Sequence, residues 1–396
     1  QAARLIPHPL PFTRNIRYTF LKLKLLLIFF NVFTLCTIFD LVDFLVGYCH
    51  VGGSWMNSIK RKMLPVTRVG MQGLAALALV ALLVPNMLTA YASSSANNSS
   101  LKNYQHVFII MMENTGYTHL IGNSDAPWIN SAAATYGLAT NYTGITHPSQ
   151  PNYIAATSGS TNGVTSDNDV TIDVPNIVDQ LEANGKTWKA YMQSIFADGN
   201  TNKLASSAGN QLYERKHNPF VSYTDVQTNP ARMANIVDFS QLSTDLAANN
   251  VPDYTWISPD QCNDMHGRGG TPTTDPCNFA NEQQLIATGD AFLQDTVGQI
   301  MNSQAWTGNS VIFITWDESD FPFNDTTGCC DAVPGGGHVV TLTISHSDHS
   351  ARTSDVAYNH YSMLATIEDG WDLGCLVNTC DTTNVPPMAD LVGPQG

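Results

Sequence analysis

The sequence predicts an α/β fold for residues 104–396, with a mostly parallel central sheet sandwiched between helices. Two observations carry that reading. Residues 105–112 (QHVFIIMM) and 310–316 (SVIFITW) are apolar without alternation, the pattern of strands buried on both faces. Around them, helical and strand-like stretches alternate along the chain, which builds parallel pairing. No internal repeat is visible, so about 300 residues are expected to form one domain.

The first strand ends in Glu113-Asn114-Thr115-Gly116. Tyr142-Thr143-Gly144 reads as a polar loop leading into Thr146-His147-Pro148-Ser149-Gln150-Pro151-Asn152-Tyr153. A small-residue helix follows, with Ser149 as its expected N-cap, Pro151 in its first turn and Gly159 at its end. Residues 176–184 (NIVDQLEAN) form an amphipathic helix closed by Gly185, and 187–192 a strand. Stretches 197–210 and 223–235 are polar and loop-rich. Residues 253–257 read as a short strand and 281–301 as the longest helix. The strand at 310–316 ends in Asp317-Glu318-Ser319-Asp320; 339–344 is a further strand and 360–370 a helix before the tail.

Residues 1–92 read differently. Residues 21–46 are a long apolar run, broken by Asp40 and Asp43, of a length that can span a bilayer. Residues 1–55 are expected to be an over-extended upstream reading or a membrane segment. Residues 56–92 have the anatomy of a secretory signal: Lys60, Arg61, Lys62 and Arg68, then apolar 70–84, then the small-x-small Ala90-Tyr91-Ala92. An uncleaved membrane anchor is the competing reading. Residues 93–103 form a polar linker. The protein is thus expected to be secreted or extracytoplasmic after cleavage near Ala92.

Residues 1–92 hold 9 of the chain's 18 Lys+Arg and 2 of its 33 Asp+Glu, which leaves the remainder with 9 against 31 and a formal charge of −22. Such a surface argues against nucleic acid as the main partner. Of eight cysteines, Cys36 and Cys49 lie upstream; the other six make an even set, with Cys262–Cys277 and Cys375–Cys380 the expected local disulfides.

In parallel sheets the chemistry sits at the carboxyl ends of strands. That selects Glu113 with Asn114, and Asp317 with Glu318. Three carboxylates and an amide oxygen make a hard anionic site for a divalent cation. Ser149, at a helix N-terminus that suits phosphate, is a hydroxyl placed to attack phosphorus. His217, His266 and His338 stand in loop contexts where a histidine can donate a proton or steady a transferred group. His147, His346, His349 and His360 are expected to be structural or exposed.

Taken together, EN at 113–114, HPSQPNY at 147–153, KHNPF at 216–220, PDQCNDMHG at 259–267, WDE at 316–318 and NHYSMLATIED at 359–369 resemble the phosphoesterase family of acid phosphatases and phosphatidylcholine-type phospholipases C, within the alkaline-phosphatase-like superfamily. The resemblance runs from about residue 104 to 373. It implies that Ser149 is a nucleophile forming a seryl-phosphate intermediate. It implies that Glu113, Asn114, Asp317, Glu318 and the Ser149 oxygen surround one divalent metal ion, and that His217 and His266 face the phosphoryl group. His266, or Asp264 beside it, is then the proton donor to the leaving oxygen. The form HPSQPNY is closer to the phosphatases than to the phospholipases. The expected activity is therefore hydrolysis of phosphate monoesters. A phospholipase C is the alternative, with membrane lipid as partner and Trp188, Tyr191, Tyr213 and Phe220 as candidates for a choline cage. A non-catalytic metal-binding surface protein is the alternative from another class.

Overall fold

In the computed structural model, residues 103–320, 325–329 and 334–393 are described. The expected upstream segment 1–55, the secretory signal 56–92 and the linker up to residue 102 lie outside the described residues. Among the described residues no helix is long and apolar enough to cross a membrane.

A nine-stranded sheet forms the centre. Its strands are β1 Val107–Met112, β2 Gly137–Thr143, β3 Trp188–Met192, β6 Ile236–Asp238, β7 Tyr254–Ser258, β8 Val311–Trp316, β9 His338–Ser345, β10 Arg352–Ser354 and β11 Tyr358–Asn359. Two short strands, β4 Ser207–Ala208 and β5 Tyr213–Glu214, pair apart from it. The order is β10-β2-β9-β8-β1-β7-β3-β6, with β11 beside β2. Only β9 runs against its neighbours; every other pairing in the sheet is parallel. The sheet is therefore mixed and mostly parallel, as the apolar runs predicted.

All six residues of β1 and of β8 are buried. Removing each Val, Ile, Phe or Met side chain of these strands from water contributes about 1.5–3 kcal/mol, which is why these two runs could be read so plainly. Helix Glu282–Met301 is the longest among the described residues, as expected, and its Asp290 carboxylate accepts the N–H groups of Trp128 and Ile129 at 3.0 and 2.8 Å. It thereby caps helix Pro127–Thr135, which starts with no side-chain cap of its own. Helix Ile177–Ala183 carries the capping box of Asn176 and Asp179.

Two elements depart from expectation. Residues 142–143, expected to lie in a loop, end strand β2, a stretch of mostly small and polar residues (GLATNYT). Strand β9 was expected to join a parallel sheet but runs antiparallel between β8 and β2. The disulfides Cys262–Cys277 and Cys375–Cys380 form as expected, with Cα–Cα distances of 4.9 and 5.2 Å.

Candidate active site

The parallel register brings the two acidic strand ends together. Met112 lies opposite Trp316, so Glu113 and Asp317 leave adjacent strands at the same height. The Asp317 N–H donates to Met112 O at 3.0 Å, and the Asn114 N–H donates to Asp317 Oδ1 at 3.2 Å. The Glu113 N–H donates to Asp264 O at 2.8 Å, which draws the loop after β7 into the same corner.

Helix Ser149–Ser158 delivers the hydroxyl. Pro148, not Ser149, is the N-cap, and Ser149 is the first helical residue with no capping bond from its side chain. Its Oγ turns instead to the acids, 3.1 Å from Glu113 Oε2 and 3.0 Å from Glu318 Oε1. A hydroxyl has one proton to give, so it donates to only one of these two carboxyl oxygens at a time. Asn152 fixes the approach loop: its Oδ1 accepts the N–H groups of Ile145 and Thr146 at 2.9 and 3.1 Å, and its Nδ2 donates to Thr146 O at 2.7 Å. A Cβ at Gly144 would stand 2.6 Å from Asp317 O, so glycine is what lets this loop pass so near the β8 end.

Five further side chains close the site. Glu318 Oε2 pairs with His147 Nδ1. Lys216 Nζ donates to Ser149 Oγ at 3.5 Å and to Asp167 Oδ2 at 3.1 Å. His217 lies between Glu113 Oε1 (3.1 Å from Nε2) and Asp264 Oδ2 (3.4 Å from Nδ1), near both but out of hydrogen-bond alignment. The Tyr153 ring stacks on His217 at 5.4 Å and 13°. His266 sits with its ring centroid 6.0 Å from that of His217, its Nδ1 2.6 Å from Gly267 O and its N–H on Asp264 Oδ1 at 2.8 Å.

Burial sets the protonation of these groups. It raises the Glu113 and Asp317 carboxyls well above the ordinary range, with Asp317 adding to the effect on Glu113 and Glu318 to that on Asp317. Burial raises Asp264 as well, reinforced by Glu113. It drives His217 well below its ordinary value and His266 down to about 4, Lys216 adding to both, so both rings are neutral near pH 7.

Two nearly inaccessible carboxyls, Glu113 and Glu318, thus meet one hydroxyl, and a third, Asp317, leaves the strand beside Glu113. They cannot all ionise without compensating positive charge. Glu113 Oε1, Asn114 Oδ1 and Asp317 Oδ2 are buried without a hydrogen-bond partner among the described residues. These are hard oxygen donors of the kind a divalent cation takes, and their chemistry fits one. Their spacing is not that of a closed ion cage: among the described residues no group of three or more His, Cys, Asp or Glu side chains is arranged to hold a metal. Both Glu318 oxygens are already engaged, by Ser149 and by His147.

The structure therefore gathers Ser149, Glu113, Asn114, Asp317, Glu318, His217, Asp264 and His266. His338 does not join them; at the start of β9 it stacks on Tyr117 at 4.2 Å. His147 and His360, expected to be structural, support the site: His360 Nε2 lies 2.6 Å from Asp317 O and its Nδ1 3.0 Å from Tyr142 Oη. Sequence reasoning passed over Lys216 and Asp167. The only available signal for Lys216 was its place beside His217 in KHNPF.

The phosphoesterase family model matches residues 123–374, which hold every gathered residue except Glu113 and Asn114. The chain is similar to a phosphatidylinositol-3-phosphatase of Mycobacterium tuberculosis, 30% identical over 345 residues, covering 85% of this chain and 99% of that protein. It is also similar to a probable acid phosphatase of Kluyveromyces lactis, 29% identical over 276 residues; the match covers 68% of this chain and spans 59% of the yeast protein's length. Among solved structures it resembles an alkaline phosphatase superfamily protein from Vibrio parahaemolyticus, with 14% identity, 70% and 68% of the two chains covered and a TM-score of 0.45. The strand-end acids, the serine at the helix start and the histidine loops are thus those of a protein that belongs to the Phosphoesterase family.

Proposed function

We propose that this chain is a metal-dependent phosphoric monoester hydrolase acting through a seryl-phosphate at Ser149. The observation that carries the reading is the convergence of Glu113, Glu318 and Lys216 on one buried hydroxyl, with Asp317 at the neighbouring strand end beside Glu113. Glu113, Asn114 and Asp317, with Glu318 and the Ser149 oxygen beside them, are the residues that would hold the ion. When bound, a divalent ion supplies the positive charge that makes the serine hydroxyl more acidic and offsets charge on the transferring group.

Ser149 Oγ forms a bond to phosphorus as the bond to the leaving oxygen breaks. The serine proton goes to Glu318 Oε1, 3.0 Å away and steadied at its other oxygen by His147. Lys216 steadies the negative charge on the serine oxygen. His217 and His266, both neutral near pH 7, lie beside Asp264, whose raised carboxyl keeps the proton that the leaving oxygen takes. Water then attacks the phosphorus and gives its proton to Asp264 as the bond to Ser149 Oγ breaks; Glu318 returns the proton to the serine oxygen, and phosphate is released.

Both similar proteins named above are phosphatases by name, which supports monoesters over diesters. Trp188, Tyr191, Tyr213 and Phe220, the candidates for a choline cage, are all buried, with Trp188 stacked on Phe220 in the core. That counts against a phospholipase built on them. A monoester carried by a lipid head group remains within the proposed substrate class. We read residues 104–396 as the catalytic domain, 56–92 as a secretory signal cleaved near Ala92, and the product as extracytoplasmic; the two disulfides support export.

The test compares p-nitrophenyl phosphate with p-nitrophenylphosphorylcholine, with and without a chelator. Monoester turnover lost on chelation and restored by a divalent ion is expected, together with its loss in Ser149→Ala at unchanged thermal stability. Preference for the choline diester, or turnover indifferent to exhaustive chelation, overturns the reading.

A further inference from the structure

Lys216 is the one lysine or arginine in contact with Ser149 among the described residues, and it is not free. Asp167 holds it at 3.1 Å through Oδ2. The other oxygen of the same carboxylate, Oδ1, accepts the Gln150 N–H at 3.0 Å. That N–H belongs to the first turn of the helix that begins at Ser149, where an unpaired backbone donor faces outward. One aspartate therefore occupies both donors that flank the hydroxyl, one oxygen on each, as two oxygens of a phosphoryl group would. Its side chain is 33% exposed and that of Lys216 16%, so the pair lies outside the nearly inaccessible Ser149, Glu113 and Asp317.

The strap carrying Asp167 is held by other means. Gln150 Nε2 donates to Ser166 O at 2.9 Å and to Asn168 O at 2.6 Å. Arg215 pairs with Asp169 at 3.2 Å and donates to Val170 O at 2.9 Å. Loss of the Asp167 charge would leave this strap in place.

We propose that Asp167 is a built-in competitor for the phosphoryl group: substrate and product phosphate must displace its carboxylate from Lys216 and the Gln150 N–H. The inference rests on the proposed phosphoryl site at Ser149. It makes Asp167 the residue that sets how weakly phosphate binds, since a ligand that needs a partly blocked site loses affinity in proportion to the blocked fraction. Release of product phosphate is favoured for the same reason.

The experiment measures inorganic phosphate binding by calorimetry, alongside KM for p-nitrophenyl phosphate, in the wild type, Asp167→Asn, Asp173→Asn and Asp167→Asn/Lys216→Met. The asparagine keeps the shape and removes the charge, and Asp173 is an exposed acid that takes no part in the contacts holding the strap. A partly exposed ion pair of about 1 kcal/mol corresponds to about fivefold in affinity. The phosphate Kd and the KM are expected to fall about fivefold in Asp167→Asn, to stay at the wild-type value in Asp173→Asn, and to lose the gain when Lys216 is also replaced. Phosphate binding that is equal or weaker in Asp167→Asn overturns the competitor and leaves the Ser149 site standing. An equal gain in Asp173→Asn overturns it too, by reducing it to general surface charge. No phosphate binding by any of the four proteins overturns the site at Ser149 and the competitor with it.

Discussion

Glu368 offers a stability test with a defined sign. It lies on helix His360–Trp371, is 2% exposed, and its Oε1 accepts from Gln180 Nε2 at 3.0 Å. Burial pushes its carboxyl from 4.5 up to about 7, with Thr379 and Gln180 pulling the other way. Between those two values the folded state keeps a proton that the unfolded chain has lost. Stability from this group is therefore fully present below pH 4.5 and is lost as the pH rises through 7. At about 1.4 kcal/mol for each unit of pKa, the loss by pH 8 is about 3 kcal/mol. Glu368→Gln removes the titration while keeping the shape. It is expected to match the wild type at pH 4 and to exceed it by about 3 kcal/mol at pH 8, which for a domain of this size is about 6 °C in Tm. Thermal unfolding of both proteins from pH 4 to 8 measures it. A difference in Tm that is constant with pH, or larger at pH 4 than at pH 8, would refute the argument.

Gly159 ends the helix that begins at Ser149, with φ +72°, and a Cβ there would stand 2.1 Å from Leu376 O. Gly159→Ala combines left-handed strain of about 1–2 kcal/mol with a clash against backbone, so a loss of about 3 kcal/mol or more is expected as a lower urea midpoint at unchanged m. His147→Ala removes the partner of Glu318 Oε2 while leaving Ser149, Lys216 and the proposed metal donors Glu113, Asn114 and Asp317, so kcat is expected to fall about tenfold or more with KM nearly unchanged. A raised KM with kcat intact would assign His147 to substrate binding instead.

How much of this was legible in the sequence depended on how local the cause was. Strands β1 and β8 and the acids that end them could be read because burial on both faces leaves an unbroken apolar run. Ser149 could be read from the proline and small residues that start its helix. Strand β2 could not, since Gly137–Thr143 is too polar and small to carry a periodic signal and is a strand through its partners β9, β10 and β11. The reversed direction of β9 is likewise a matter of connection, and no residue in it encodes a direction. His147, His360 and Lys216 act through partners 171, 43 and 67 positions away, and nothing in their immediate neighbours distinguishes a histidine or lysine that will meet an acid. The same separation explains why His338, which follows a glycine run and opens β9, stacks on Tyr117 instead.

The account stands on Ser149 as the atom that takes the phosphoryl group. The most direct measurement is an acid quench during turnover of a phosphate monoester, followed by peptide mass analysis. One phosphoryl group on the peptide containing Ser149, absent in Ser149→Ala, is the predicted result. A phosphoryl group on Thr146, or full turnover by Ser149→Ala, would contradict it.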